Sequence, residues 1–428
     1  MKRVLIISPY FPPCNAADMQ RVRMSLPWFR QFGWDAEVVA VDPKYADVAK
    51  DALLAESVPD DIKVHYLKAF NKKATSKLGL GSIALRSLYY YRKKVNQLLR
   101  QNKFDLVYFS TTQFPVCILG GYWKRKFNVP YVIDMQDPWF SHYYQDKPKH
   151  HRPPKHWFSY RLNGYLEPIA MRKVDGLISV SPDYIDELRS RYAETKYIPA
   201  STITFGAMAD DFRIAAYHEK DFSQLLGPGF TNIVYIGRGG SDMHGAITPL
   251  FKALKTGLTN NPDGFNDLKI YFIGTSYAPA GQGIPSIIPL AVQFGVEGNI
   301  VEITNRISYF HTLSVLNKAD ALFIPGSDDP RYTASKMFPY LLTGKPTLAL
   351  LNSKSPAHAV LHEYGAKYIY EYDGDDTVVN NITAFLLNVV NNAFAKQEYN
   401  TAAVEKYSAE NLTHEQCKLF DETIKKKP

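Results

Sequence analysis

Cysteine is scarce in this chain. Its 428 residues hold three, Cys14, Cys117 and Cys417, far apart and odd in number. No C-x-x-C pair occurs. That excludes a disulfide framework and a structural zinc site, and a reducing cytosol fits. No apolar run reaches membrane-spanning length. The opening Met1 to Ser8 carries a short apolar core, Val4 to Ile7, which reads as a buried first strand and not as a signal peptide. No glycine-rich loop ends in Lys-Ser/Thr, so there is no Walker loop, and no short internal repeat is found. One stretch lacks acids altogether: residues 62–104 contain eleven Lys/Arg and no Asp or Glu.

What is present points to two α/β domains. The length is natural for two, and hydrophobic residues at 46% suffice for two cores. Aromatics reach 14%, with 29 Tyr. A net charge of +8 and a pI of about 9.0 favour an anionic partner: phosphate, an acidic membrane surface or nucleic acid. No nucleic-acid motif accompanies the charge, so nucleic acid is not expected.

Short apolar runs alternate with helix-like segments. Strands are expected at 4–8, 37–41, 64–67, 106–110, 131–135 and 176–180, with helices at 19–32, 82–101, 116–126 and 157–173. The pattern restarts with strands at 232–237, 268–274, 300–303, 321–325, 347–351 and 367–372. Helices are expected from 246 and over 309–318, 333–342, 356–364, 377–395 and 402–425. Such alternation implies parallel sheets, whose ligands sit beyond the carboxyl ends of the strands.

Four of those ends carry candidate chemistry. After 232–237 comes Gly237-Arg238-Gly239-Gly240-Ser241-Asp242-Met243-His244. Glycines let backbone approach a diphosphate, and the helix start beyond favours negative charge. After 321–325 comes a polar loop, then a segment with Ser335 and Lys336 near its start. After 131–135 comes Asp134-Met-Gln136-Asp137-Pro138-Trp139. Asp137 and Gln136 either line a cleft there or serve locally, Asp137 capping a turn. After 4–8 comes a loop holding Ala16, Ala17 and, further on, Arg21, which is either an acceptor-site cation or a surface charge. Four histidines, at 142, 150, 151 and 156, lie among prolines and cations, and no metal site is expected from them.

Ser335-Lys336-x-x-x-Tyr340-x-x-x-Gly344-Lys345-Pro346 resembles the donor-binding helix of glycosyltransferases with the GT-B fold, of the retaining family 4 type. The opening Ser8-Pro-Tyr-Phe-Pro-Pro13, the Asp134–Trp139 signature and Val174-Asp-Gly-Leu-Ile-Ser-Val-Ser181 carry the same resemblance. It implies two facing Rossmann-like domains, with a C-terminal helix crossing back to the first. The domains would be 1–208 plus 402–428 for the acceptor, and 209–401 for the donor. It implies sugar transfer from a UDP- or GDP-linked nucleotide sugar to a glycan or lipid-linked acceptor, with no cofactor beyond that co-substrate and no metal.

On this resemblance Arg238 and Lys336 stabilise charge on the leaving diphosphate, and Asp137 and Gln136 orient the acceptor or the transferring sugar. Gly237, Gly239, His244, Gly274, Asn305, Ser335 and Tyr340 bind the donor, and Arg21, Ala16 and Ala17 the acceptor. The chain departs from the family at several places: Arg331 falls where an earlier glutamate is usual, Gln136 replaces a histidine, Phe205 replaces an asparagine, and three further departures bear on catalysis. Pro339 stands where a glutamate usually binds the ribose, His244 replaces a lysine, and Ala16-Ala17 replaces Gly-Gly. These three favour the alternative of a degenerate GT-B protein that binds without catalysis. A sugar-nucleotide epimerase on the same fold is a third reading.

In the acid-free stretch, Arg86, Arg92, Lys93 and Lys94 lie with Tyr89, Tyr90 and Tyr91 on one helix. Basic and amphipathic aromatic side chains together suit an anionic bilayer. The expectation is a cytoplasmic protein held at the inner face of the membrane. The alternative is a solvated charged helix face.

Overall fold

Among the described residues the apolar runs fold into thirteen strands in two parallel sheets. The structure, a computed structural model, describes the chain apart from residues 78, 146–147, 149–151, 153–154, 330–335, 373–375, 395–398 and 426–428, and the side chain of residue 376. The first sheet contains β1 (Lys2–Ile7), β2 (Trp34–Val41), β3 (Lys63–Leu67), β4 (Leu106–Ser110), β5 (Tyr131–Met135), β6 (Gly176–Ser179) and β7 (Ala200–Thr202). Its order is β3-β2-β1-β4-β5-β6-β7. The second contains β8 (Thr231–Ile236), β9 (Leu268–Ile273), β10 (Ile300–Ile303), β11 (Ala321–Pro325), β12 (Thr347–Leu351) and β13 (Tyr368–Glu371). Its order is β10-β9-β8-β11-β12-β13. Every residue of β4, β5, β11 and β12 is buried, because helices cover both faces of each sheet.

The chain divides into two compact units, Met1–Gly206 with Ala409–Pro428, and Ala207–Ser408. The last helix, Ala409–Lys425, thus belongs to the first unit. Phe420 packs between Phe29, Trp34 and Tyr108. Gln416 Nε2 donates to Ser25 Oγ at 2.8 Å, and Trp34 Nε1 to Asp421 Oδ1 at 3.0 Å.

Several elements differ from the sequence expectation, each for a local reason. The helix expected over 19–32 is interrupted. An α-helical turn, Gln20–Ser25, is followed by Pro27 and a 3-10 turn, Phe29–Phe32, which Gly33 closes at φ 81°. The tail is two helices. Thr401–Lys406 stays with the second unit, and the chain leaves it at Tyr407-Ser408. β7 has only three residues, too few to show a period in sequence. In the expected 333–342 segment the described helix is Met337–Leu342, and 333–335, including Ser335, lies outside the described residues.

The helix Ile83–Gln101 starts at Ser82, whose Oγ accepts from Leu85 N at 3.3 Å. Its buried face contains Ile83, Ala84, Ser87, Tyr91, Val95 and Leu98, but also Arg86. The structure therefore corrects the basic surface stripe. Arg86 points inward, while Arg92 and Lys93 are exposed and Lys94 is half-buried.

Candidate active site

Each sheet has one place where the strand order reverses. In the first unit it lies between β1 and β4, which pair from Val4 with Leu106 to Ile7 with Phe109. Connections leave in opposite directions there, so a crevice opens past the strand ends. Its floor is a buried polar network. Asp134 Oδ2, on β5, accepts from Ser110 Oγ at 2.9 Å, Gln136 Nε2 at 2.9 Å and Tyr108 Oη at 3.2 Å. Arg21 Nε lies 2.7 Å from the same oxygen. The Arg21 guanidinium also donates to the carbonyls of Ile203 at 2.7 Å and Thr204 at 3.1 Å. Gln136 Nε2 further donates to the Asp18 carbonyl at 3.1 Å and Ser110 Oγ at 3.0 Å.

Arg21 and Gln136 are therefore placed differently from the sequence expectation. Both are buried, with their donors aimed at protein acceptors. A charge removed from water this far needs a partner, and Asp134 supplies it to Arg21. These residues fix the floor of the crevice and do not line an open wall. Asp18, which the sequence reading passed over, is equally central. Its Oδ2 accepts from Thr111 Oγ1 at 2.8 Å, Thr112 N at 3.1 Å and Thr112 Oγ1 at 3.3 Å. Burial pushes its carboxyl above the usual range, and these bonds pull it back in part. Asp137, by contrast, is exposed. Its carboxyl is pushed up by loss of hydration first and by Asp18 second. Trp139 anchors the loop, stacking on Phe114 with centroids 5.4 Å apart and donating Nε1 to Asn163 Oδ1 at 3.2 Å. Ala16 is extended (φ −113°, ψ 142°) and Ala17 opens a 3-10 turn, so neither position requires the positive φ of glycine.

In the second unit the reversal lies between β8 and β11. Their ladder is short, Ile233 with Ala321 and Val234 with Leu322. Beyond it the strands part, and Tyr340 fills the gap. Its hydroxyl accepts from Ile236 N at 2.8 Å and donates to Ile236 O at 3.3 Å. The residue that the family resemblance assigned to the donor is thus buried and bonded to a strand end.

Three cations meet above this point. Arg238 makes a bidentate pair with Asp242, at 2.8 and 2.6 Å, and Asp242 also accepts from Ser327 Oγ at 2.7 Å. The Asp242 carboxyl is held below its usual range by Arg238 and Ser327, against the opposing effect of burial. Lys336 is close enough that a Cβ on Gly237 would stand 2.9 Å from its Nζ. Loss of hydration, then Arg306, then Arg238, push its pKa down to about 8. The residue nonetheless remains exposed, so water screens part of this repulsion. Arg306, the third cation, lies over the Tyr277 ring at 5.1 Å.

The surrounding loops are tied down. Glu302, an acid inside the apolar run of β10, accepts from Thr275 Oγ1 at 2.7 Å and from the backbone N–H of Ser286, Ile287 and Ile288, each at 2.9 Å. His244 Nε2 faces the Ser286 carbonyl at 3.1 Å and so carries the proton. Gly274 has φ 78°, which favours glycine, and Asn305 Oδ1 accepts from Gly281 N at 2.9 Å. A Cβ on Gly239 would stand 2.6 Å from Ser286 Oγ, so this glycine serves packing within the loops.

Sequence reasoning singled out Arg238, Lys336 and the loops, and did not single out Asp242 or Glu302. The available signal was an acid in an otherwise apolar strand for Glu302, and a carboxylate four residues after a loop arginine for Asp242. Among the described residues no group of three or more His, Cys, Asp or Glu could hold a metal, and no helix is long and apolar enough to cross a membrane.

Residues 20–200 match the glycosyl transferase 4-like domain. No curated protein matches the sequence. Solved structures match over nearly the whole chain at low identity. Sucrose-phosphate synthase from Thermosynechococcus elongatus is 13% identical with a TM-score of 0.56, covering 98% of this chain and 94% of its own. A mutant form of S. aureus TarM, in complex with fondaparinux, alpha-GlcNAc-glycerol and UDP, is 11% identical with a TM-score of 0.55, covering 98% and 100%. A UDP-forming alpha,alpha-trehalose-phosphate synthase from Burkholderia xenovorans, in complex with glucose-6-phosphate, is 11% identical with a TM-score of 0.58, covering 98% and 100%. Residues 20–200 are thus similar to the glycosyl transferase 4-like domain, and the chain as a whole shares the GT-B fold of these solved structures.

Proposed function

We propose that the protein moves a sugar from a UDP- or GDP-linked donor to a glycan or lipid-linked acceptor in bacterial surface polysaccharide synthesis, with retention and without a metal. The observation that carries this reading is the meeting of Arg238, Arg306 and Lys336 at the β8–β11 reversal, with Asp242 paired to Arg238. Charge builds on the leaving diphosphate during transfer, and preorganised cations stabilise it without reorganising. The TarM complex with UDP and the trehalose-phosphate synthase complex with glucose-6-phosphate support a UDP-sugar and a small polar acceptor. Asp137, exposed on its loop, is the group we assign to orienting the acceptor or the transferring sugar. The exposed Arg92 and Lys93, with Lys94, would hold the protein at the anionic inner face of the membrane.

Isothermal titration with UDP and GDP tests the donor site. Arg238→Ala removes a charge-assisted bond worth about 1.5–3 kcal/mol, so nucleotide affinity should fall roughly ten- to a hundredfold. Unchanged affinity in a folded variant would overturn the assignment. A second reading, binding without transfer, is favoured by Pro339 and by the neutralisation of Arg238 by Asp242. Nucleotide binding without consumption of any UDP- or GDP-sugar, acceptor or no acceptor, would decide for it.

A further inference from the structure

The inward turn of Arg86 exposes a feature that the sequence hid. Its Nη1 donates to Phe70 O at 2.9 Å and its Nε to Gly81 O at 3.2 Å. Its Nη2 donates to Tyr45 O at 2.9 Å and Asp47 Oδ2 at 3.2 Å. Phe70 N returns a bond to Arg86 O at 3.0 Å. One buried guanidinium therefore grips both ends of the segment 70–81. Within that segment the short helix Lys72–Ser76 leads to a turn at Gly79, φ 75°. A Cβ on Gly79 would stand 2.6 Å from the Phe158 ring, so the turn lies directly on the helix His156–Met171.

Beside this contact the surface is unusually apolar and aromatic. Trp157, next to Phe158, is 64% exposed, and Tyr165, two turns on, is 70% exposed. Arg161 lies between them in the stripe, its guanidinium 5.8 Å from the Trp157 ring centroid. On the clamped segment Leu80 and Phe70 are exposed, and Tyr89 meets Phe70 at 6.3 Å. Exposed large apolar groups in one neighbourhood mark an interaction surface. Its cations Lys73, Lys77 and Arg161 are exposed as well, the stretch 62–104 brings no acid, and Lys72, also exposed, pairs with Asp47 from outside that stretch at 3.2 Å. Tyr and Trp beside lysines match the headgroup layer of an anionic bilayer, where rings sit at the interface and ammonium groups meet phosphates.

We propose that the described residues of the clamped segment, 70–77 and 79–81, and the Trp157–Arg161–Tyr165 stripe form an insertion surface for an anionic lipid bilayer. The inference rests on the membrane attachment proposed above and adds that attachment inserts aromatic side chains and is not electrostatic alone. The full-length protein is sedimented with phosphatidylcholine vesicles, with and without phosphatidylglycerol, at low and high salt. Tryptophan emission is recorded with lipids brominated in the acyl chains. Wild type is expected to bind the anionic vesicles, with a blue shift and bromine quenching that Trp157→Phe removes. Trp157→Ala with Tyr165→Ala should weaken binding about tenfold, since each ring loses buried apolar area. Arg92, Lys93 and Lys94 changed to Gln should weaken binding while leaving the blue shift of the bound fraction. Salt-sensitive binding without quenching, and unaffected by the aromatic changes, would overturn the insertion surface and leave electrostatic attachment standing. No binding to anionic vesicles at low salt would overturn both.

Discussion

Replacing Tyr340 by Phe isolates one oxygen at the point where β8 and β11 part. That oxygen accepts from the N–H of Ile236, a buried residue at the carboxyl end of its strand. The ladder to β11 has already ended at Val234 with Leu322, so the strand on that side offers Ile236 no partner. Removing the hydroxyl leaves a buried donor unsatisfied, which costs about 1–3 kcal/mol. The ring itself remains, so no large cavity opens to add to that cost. In a unit spanning Ala207–Ser408 each kcal/mol lowers Tm by about 2–4 °C. Urea denaturation and calorimetry read the change. Tyr364→Phe is the internal control. That ring is also buried in the second unit, but among the described residues its hydroxyl makes no hydrogen bond. Its removal should change stability by less than about 0.5 kcal/mol. Equal stability of the two variants would refute the argument that Tyr340 closes the strand end. If Tyr340 faced a bound donor instead, losing the hydroxyl would lower nucleotide affinity and leave the ligand-free protein unaltered.

Two pH dependences follow from the shifted groups Lys336 and Asp18. Lys336, with its pKa pushed down to about 8, is charged below that pH and loses its proton as pH rises through it. UDP affinity by titration calorimetry should therefore fall between about pH 7 and 9 in wild type, and Lys336→Met should flatten that fall; an identical slope in both would remove Lys336 from the phosphate site. For the ligand-free fold the sign is opposite, because a depressed lysine binds fewer protons folded than unfolded, so stability rises from about pH 8 towards the unfolded value. Asp18 has a raised carboxyl pKa, so the folded protein binds more protons than the unfolded one just above the ordinary aspartate range, and stability falls as pH rises through that window. Asp18→Asn should remove this fall, costing more stability near pH 4 than at pH 7 in denaturation experiments, and a pH-independent difference would show that the Asp18 carboxyl does not titrate with folding.

The sequence by itself determined the sheet strands other than β7, and the loops at their ends. Runs such as Leu106–Ser110, Tyr131–Met135, Ala321–Pro325 and Thr347–Leu351 are mostly apolar and buried throughout because both faces of each sheet are covered, and their bounds were legible to the residue. The positions of Arg238, Lys336 and Asp137 followed, since chemistry in such sheets gathers where strands end. What sequence could not settle was the direction in which a long polar side chain points. Arg86, Arg92 and Lys93 lie within two turns of one helix, yet only Arg86 turns inward. Its acceptors, the carbonyls of Tyr45, Phe70 and Gly81, come from segments brought together by the fold. Gln136 and Arg21 are buried for the same reason: Asp134, Asp18 and Ile203 lie far from at least one of them in sequence and surround them in space. A charge is buried where its partners already stand, and those partners are assembled by tertiary structure alone.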